Sequence, residues 1–103
     1  MNIQYKKGVI ELCVLSMLAK EDRYGYDISE TISQKIDISD GTVYPILRKL
    51  KGDGLVTTYV RETSGGPPRI YYRMTDLGRK LYRSDRGEWL DFVETVKMML
   101  EAE

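Results

Sequence analysis

With no histidine and one cysteine in 103 residues, this chain has little from which to build a metal site, and Cys13 has no partner for an internal disulfide. Cys13 sits in an apolar run and reads as a small core residue. The carboxylates fall at no catalytic spacing, and no glycine-rich loop is placed to cradle phosphate, so neither enzyme chemistry nor a cofactor is expected. What remains are cations set among residues with almost no side chain. Read as a helix, the stretch SDGTVYPILRKLKGDGL at 39–55 puts Gly41, Pro45, Arg48, Lys49 and Gly52 on one outer face. Glycine and proline lower helix propensity, so stability alone does not select such a face. A helix that must approach a large anionic body closely could use it, with Arg48 and Lys49 reaching phosphates or base edges in a DNA groove. The same stretch also reads as an ordinary amphipathic helix whose glycines mark ragged ends. A second set of cations, Arg61, Arg69 and Arg73, lies on or beside the loop Ser64-Gly65-Gly66-Pro67-Pro68-Arg69.

Positioning those cations requires a scaffold. Val43, Ile46, Leu47 and Leu50 recur at i, i+3, i+4 and i+7, one buried stripe behind the outer face. Ser39 precedes the stripe as the expected N-cap, and Gly52 and Gly54 follow it as stop signals. Residues 24–35 read as a second helix, with Tyr24, Ile28, Ile32 and Ile36 four apart. Tyr26 there reads as a core edge with a wet hydroxyl. Ile36, Asp37 and Ile38 make a short extended link, which suits a helix-turn-helix. Residues 55–63 and 70–75 are rich in β-branched and aromatic side chains, and the Gly/Pro loop between them predicts a projecting hairpin. As a wing it would lay Arg69 near a minor groove or a phosphate. As a plain hairpin its arginines would only keep the edges soluble.

The flanking segments complete the domain. Residues 1–7 read as a polar lead-in carrying Lys6 and Lys7, a solvated tail with DNA backbone as a lesser option. Residues 9–18, VIELCVLSML, predict a central helix, followed by a charged turn at 20–23. Thr75-Asp76 can cap a last helix with Leu77 and Leu81 in its first part. Its second part carries Trp89, Phe92, Val96 and Met99 at heptad-like spacing, widened by Val93 and Leu100. That stripe exceeds what a small domain can cover, so it should pack on a second copy or another helix. Gly87 marks a potential break. Net charge is zero, yet residues 39–75 carry net +3 between acidic ends, as local phosphate contact would need. No stretch has the length of a membrane span and no signal peptide is visible, so a cytoplasmic location is expected. The expected architecture is mostly α with a small β-hairpin. It divides into a winged helix-turn-helix at 1–75 and a C-terminal helix at 76–103, together one compact unit.

Taken in order, Tyr24-Gly25-Tyr26-Asp27-Ile28, Gly41 through Leu50 (GTVYPILRKL), Gly54-Leu55-Val56, and Tyr71-Tyr72-Arg73-Met74-Thr75 with Gly78 resemble the PadR family of bacterial transcriptional regulators. The resemblance spans nearly the whole chain. Val43 stands where leucine is commoner and Lys51 where glutamate is common. The resemblance implies a homodimeric repressor on an inverted-repeat operator, of the subgroup ending in one long dimerisation helix. It places recognition contacts at Thr42, Tyr44, Pro45, Arg48 and Lys49 and wing contacts near Arg69. Tyr44 could equally pack against the second helix. The resemblance also marks Trp89, with Phe92, Val93 and Val96, as the lining of an interface pocket for a flat aromatic or drug-like effector. The same residues serve equally as a plain interface anchor. A winged-helix module used only for protein contact is the alternative function.

Overall fold

The stripe behind the candidate recognition face is the floor of the core. In the computed structural model, which describes the backbone of residues 3–102 and the side chains of residues 8–39 and 41–102, Val43, Ile46, Leu47 and Leu50 are all buried. They lie on α3 (Val43–Gly52), which packs with α2 (Gly25–Lys35) and the central α1 (Ile3–Lys20). Ile10, Val14, Leu15 and Leu18 from α1 and Ile28 and Ile32 from α2 close the core from the other side. The helix expected from residue 9 begins earlier, so the lead-in is helical from Ile3. The side chains of Lys6 and Lys7 lie outside the described residues.

Helix α3 ends as its glycines predict, though only one of them does the work. Gly54 adopts φ +75°. Its N–H donates to the Lys51 carbonyl at 3.0 Å, and the next N–H, of Leu55, donates to the Leu50 carbonyl at 2.9 Å. This pair of bonds is a Schellman cap, and the buried Leu50 and Leu55 give it the usual apolar contact. Gly52 is simply the last helical residue. The start of α3 departs from expectation. Ser39 does not cap with its hydroxyl. A single 3-10 turn, Asp40–Thr42, intervenes, and residues three apart in such a turn eclipse one another. Ser39 Oγ and Thr42 Oγ1 therefore meet at 2.9 Å, while the Ser39 carbonyl accepts from the Thr42 N–H at 3.0 Å. Pro45 falls in the first turn of α3, where a missing N–H costs little.

The hairpin forms from β2 (Val56–Arg61) and β3 (Arg69–Met74), antiparallel and in register from Val56 opposite Met74 to Arg61 opposite Arg69. A two-residue strand not expected from the sequence, β1 (Arg23–Tyr24), adds to the other edge of β3 and starts where a charged turn was read. Tyr24 thus belongs to the sheet and immediately precedes α2. The last helix, α4 (Asp76–Glu101), runs unbroken across Gly87. Its cap is Thr75, whose hydroxyl accepts from the Gly78 N–H at 3.0 Å and donates to the Gly54 carbonyl at 2.7 Å. At about 1.5 Å per residue α4 is ~39 Å long. Its first half packs on α1; from Leu90 onward only Val96 is even half-buried. That projection accounts for a long axis of 57 Å and a radius of gyration of 15.4 Å, against about 13 Å for a compact chain of this length. Among the described residues no helix is long and apolar enough to cross a membrane.

Candidate nucleic-acid interface

Burying the Val43–Leu50 stripe forces the opposite side of α3 into solvent. Gly41, Tyr44, Pro45, Arg48, Lys49 and Gly52 are exposed and Thr42 is half-exposed. The two cations of this face differ in their surroundings. Arg48 forms no ion pair among the described residues. Its charge is felt at the neighbouring Tyr72 hydroxyl, which burial pushes above the usual phenol range and Arg48 draws partly back. Lys49 turns toward α1, with its Nζ 3.2 Å from Glu11 and 3.4 Å from Asp53. Glu11, first through the hydrogen bond and then through its charge, holds the Lys49 ammonium above its ordinary value. Tyr44 is 38% exposed and also packs inward. A Cβ on Gly25 would stand 3.3 Å from the Tyr72 ring and 3.5 Å from the Tyr44 ring, so glycine at this position lets α2 sit close under both.

The wing carries its cations on one face. Alternate residues of a strand share a face, so Tyr59 and Arg61 on β2 and Arg69, Tyr71 and Arg73 on β3 point the same way. Tyr71 lies opposite Tyr59 on one side and Tyr24 on the other. The three rings form a row, with centroids 5.6 Å apart from Tyr59 to Tyr71 and 5.9 Å from Tyr71 to Tyr24. Each arginine stacks on a ring of the adjacent strand: Arg61 4.3 Å over Tyr71, Arg69 4.6 Å over Tyr24, Arg73 4.9 Å over Tyr59. Arg69 therefore sits at the base of the loop, over the Tyr24 ring of the sheet.

Asp22 clamps the far end of this face. Its Oδ2 accepts from the Tyr59 hydroxyl at 2.7 Å and from Arg73 Nε at 3.0 Å, tying the α1–β1 connection to both wing strands. The hydrogen bond to Asp22 is the main reason that Tyr59 titrates above the ordinary phenol value of 10. A folded-state value raised in this way contributes stability below pH ~10 that is lost as pH rises through the raised value. Asp22→Ala should bring the Tyr59 step in a tyrosinate absorbance titration most of the way back to its ordinary position. An unchanged titration would mean that the Tyr59–Asp22 bond is not made in solution.

The residues of the apolar seam are placed separately. Trp89 is half-buried, its ring 5.9 Å from Phe92. Both line an open groove of about 390 Å³ with Leu12 and Leu15 of α1, with Lys49 and Leu50 of α3, and with Asp53 just after it. Phe92, Val93 and Val96 continue along α4 with Leu100. The groove thus shares a wall with the candidate recognition helix. Among the described residues no three metal-binding side chains cluster. The sequence alone does not mark the tyrosine row or Arg61 as site residues. Their signal is the two-residue alternation of Tyr and Arg in the strands, which becomes a row only once the register is known.

A basic helix face beside a basic hairpin is the arrangement of a winged helix, and comparison with known proteins decides the family. Residues 14–84 match the Transcriptional regulator PadR-like family. The chain belongs to that family. Among solved structures it is similar to a PadR-like transcriptional regulator of Bacillus cereus, with 31% identity, a TM-score of 0.87, and 97% and 99% of the two chains covered. A PadR-like transcription factor of Bacteroides fragilis shares 34% identity at a TM-score of 0.77, over 93% and 94% of the two chains. A transcriptional regulator of Mycobacterium tuberculosis is 30% identical over 84 residues, 81% of this chain and 78% of its own. This PadR-like protein is accordingly a DNA-binding regulator of transcription with a winged helix-turn-helix, and not an enzyme.

Proposed function

We propose that the protein is a homodimeric repressor that binds an inverted-repeat operator. One α3 enters the major groove of each half-site, and α4 pairs with its copy. The exposed outer face of α3, rigidly backed by four buried residues, carries this reading. Thr42, Tyr44, Pro45 and Arg48 are the direct contacts. Lys49 joins them by exchanging Glu11 and Asp53 for phosphate, a small loss because the lysine is 57% exposed and such surface pairs contribute little. Arg69 serves the wing. The unit at 1–75 reads DNA and the helix at 76–103 sets the spacing, roughly 34 Å between half-sites. Trp89, Phe92, Val93 and Val96 form the interface. A flat aromatic effector seated there changes DNA affinity by favouring one spacing of the two α3 helices over another. Support for this last element is the groove wall shared by Trp89, Lys49 and Asp53.

Arg48→Ala should cost about 1–3 kcal/mol of specific binding and relax the preference at one base position, measured by competition among single-base operator variants. Equal weakening on every duplex would reassign Arg48 to phosphate. No change at all would remove the recognition role of α3.

A further inference from the structure

Arg61 and Arg69 face each other directly across the base of the wing. Like charges placed opposite one another destabilise a hairpin. Neither arginine has a carboxylate partner among the described residues, whereas Arg73 on the same face has Asp22 at 3.0 Å. What Arg61 and Arg69 have instead are rings: Tyr71 beneath Arg61 and Tyr24 beneath Arg69. A guanidinium held over a ring face loses much of its rotational freedom before any partner arrives. The hairpin therefore holds two uncompensated positive charges side by side, ordered by aromatic faces rather than by acids. That arrangement costs the free protein stability and is complementary to an anion.

We propose that the row Tyr59, Tyr71 and Tyr24 is a rack that positions Arg61 and Arg69 for phosphate contact by the wing. Tyr71 and Tyr24 are then positioning residues of the DNA-binding apparatus, and Arg61 is a second wing contact beside Arg69. The proposal rests on the reading that this protein binds DNA through its wing. Tyr59 extends the row and is itself fixed by Asp22, so the rack is anchored to the body of the domain.

The salt dependence of binding tests the rack, because its slope counts phosphate contacts at about 0.9 for each one. Binding of the full chain to the duplex upstream of its own gene would be followed by fluorescence anisotropy across a salt series. The proteins are wild type, Arg61→Ala, Tyr71→Leu, Tyr71→Phe and the double variant Arg61→Ala/Tyr71→Leu. Arg61→Ala should flatten the slope by about one contact per protomer. Tyr71→Leu should flatten it equally, Tyr71→Phe should leave it unchanged because the ring is kept, and the double variant should match Arg61→Ala alone. Thermal melts show which variants are folded; if Tyr71→Leu is not, Tyr24→Leu compared with Arg69→Ala gives the same test. An unchanged slope in Arg61→Ala or Tyr71→Leu, or losses that add in the double variant, would overturn the rack. Absence of salt-dependent binding by wild type would instead overturn the DNA-binding reading itself.

Discussion

Replacing Gly78 with alanine is expected to lower stability by roughly 2–4 kcal/mol, enough to take the thermal midpoint down by on the order of 10 °C or more. An added Cβ would overlap the carbonyl oxygen of Leu55. That carbonyl cannot step aside. It accepts from the Thr75 N–H at 3.1 Å, belongs to the residue that completes the α3 Schellman cap, and leads directly into β2. Gly78 is also the only buried residue of α4, on the turn that Thr75 caps. One position thus fixes how the long helix departs from the winged helix. Gly87 is the internal comparison, because a Cβ there meets nothing within 4 Å. A melt of Gly78→Ala within a degree or two of wild type would show that the junction is looser than its hydrogen bonds imply.

The second large effect is expected from Val96→Glu. Leu90, Phe92, Val93, Met98, Met99 and Leu100 are exposed on α4, and Val96 is half-buried among them. A monomer gains nothing from so much apolar surface in water. A carboxylate at Val96 would have to be buried unpaired in a helix–helix seam, which is strongly unfavourable. The winged helix should stay folded, because its buried core contains no residue from this part of α4. The variant should sediment as a folded monomer where wild type sediments as a dimer. Operator affinity should fall about 100-fold or more, since two linked half-sites bind far more tightly than either alone. A folded monomer that retains wild-type operator affinity would argue against a dimeric reader.

Much of this was legible in the chain because it is local and periodic. The stripe Val43, Ile46, Leu47, Leu50 has helical spacing and is buried throughout. Gly54 and Thr75 do at the element ends what glycine and threonine do generally. The hairpin follows from two β-rich runs around a Gly/Pro loop. What escaped depends on distant partners. Tyr24 fits the helical stripe of Ile28, Ile32 and Ile36, and with Arg23 it is a strand only because β3 offers an edge. Helical spacing puts Lys49 on the outer face, where it is exposed, but its pairing with Glu11 joins residues far apart in the chain and is visible only in the fold. Residue type alone makes Ser39 an N-cap, and one extra 3-10 turn directs its hydroxyl to Thr42 instead. Gly87 suggests a break, yet a glycine costs only about 1 kcal/mol in a helix, and α4 is also held by its packing on α1. The continuous α4 shows that cost outweighed.

The proposed function requires that the outer face of α3 read a specific DNA sequence. Its most direct test is fluorescence anisotropy of the purified protein on the duplex upstream of its own gene, beside an unrelated duplex of equal length. Both would be followed across a salt series, with Arg48→Ala run in parallel. The prediction is tighter binding to the upstream duplex, weakening as salt rises, and a preference between the duplexes that Arg48→Ala reduces. Equal binding of wild type to both duplexes, or a preference unaffected by Arg48→Ala, would contradict it.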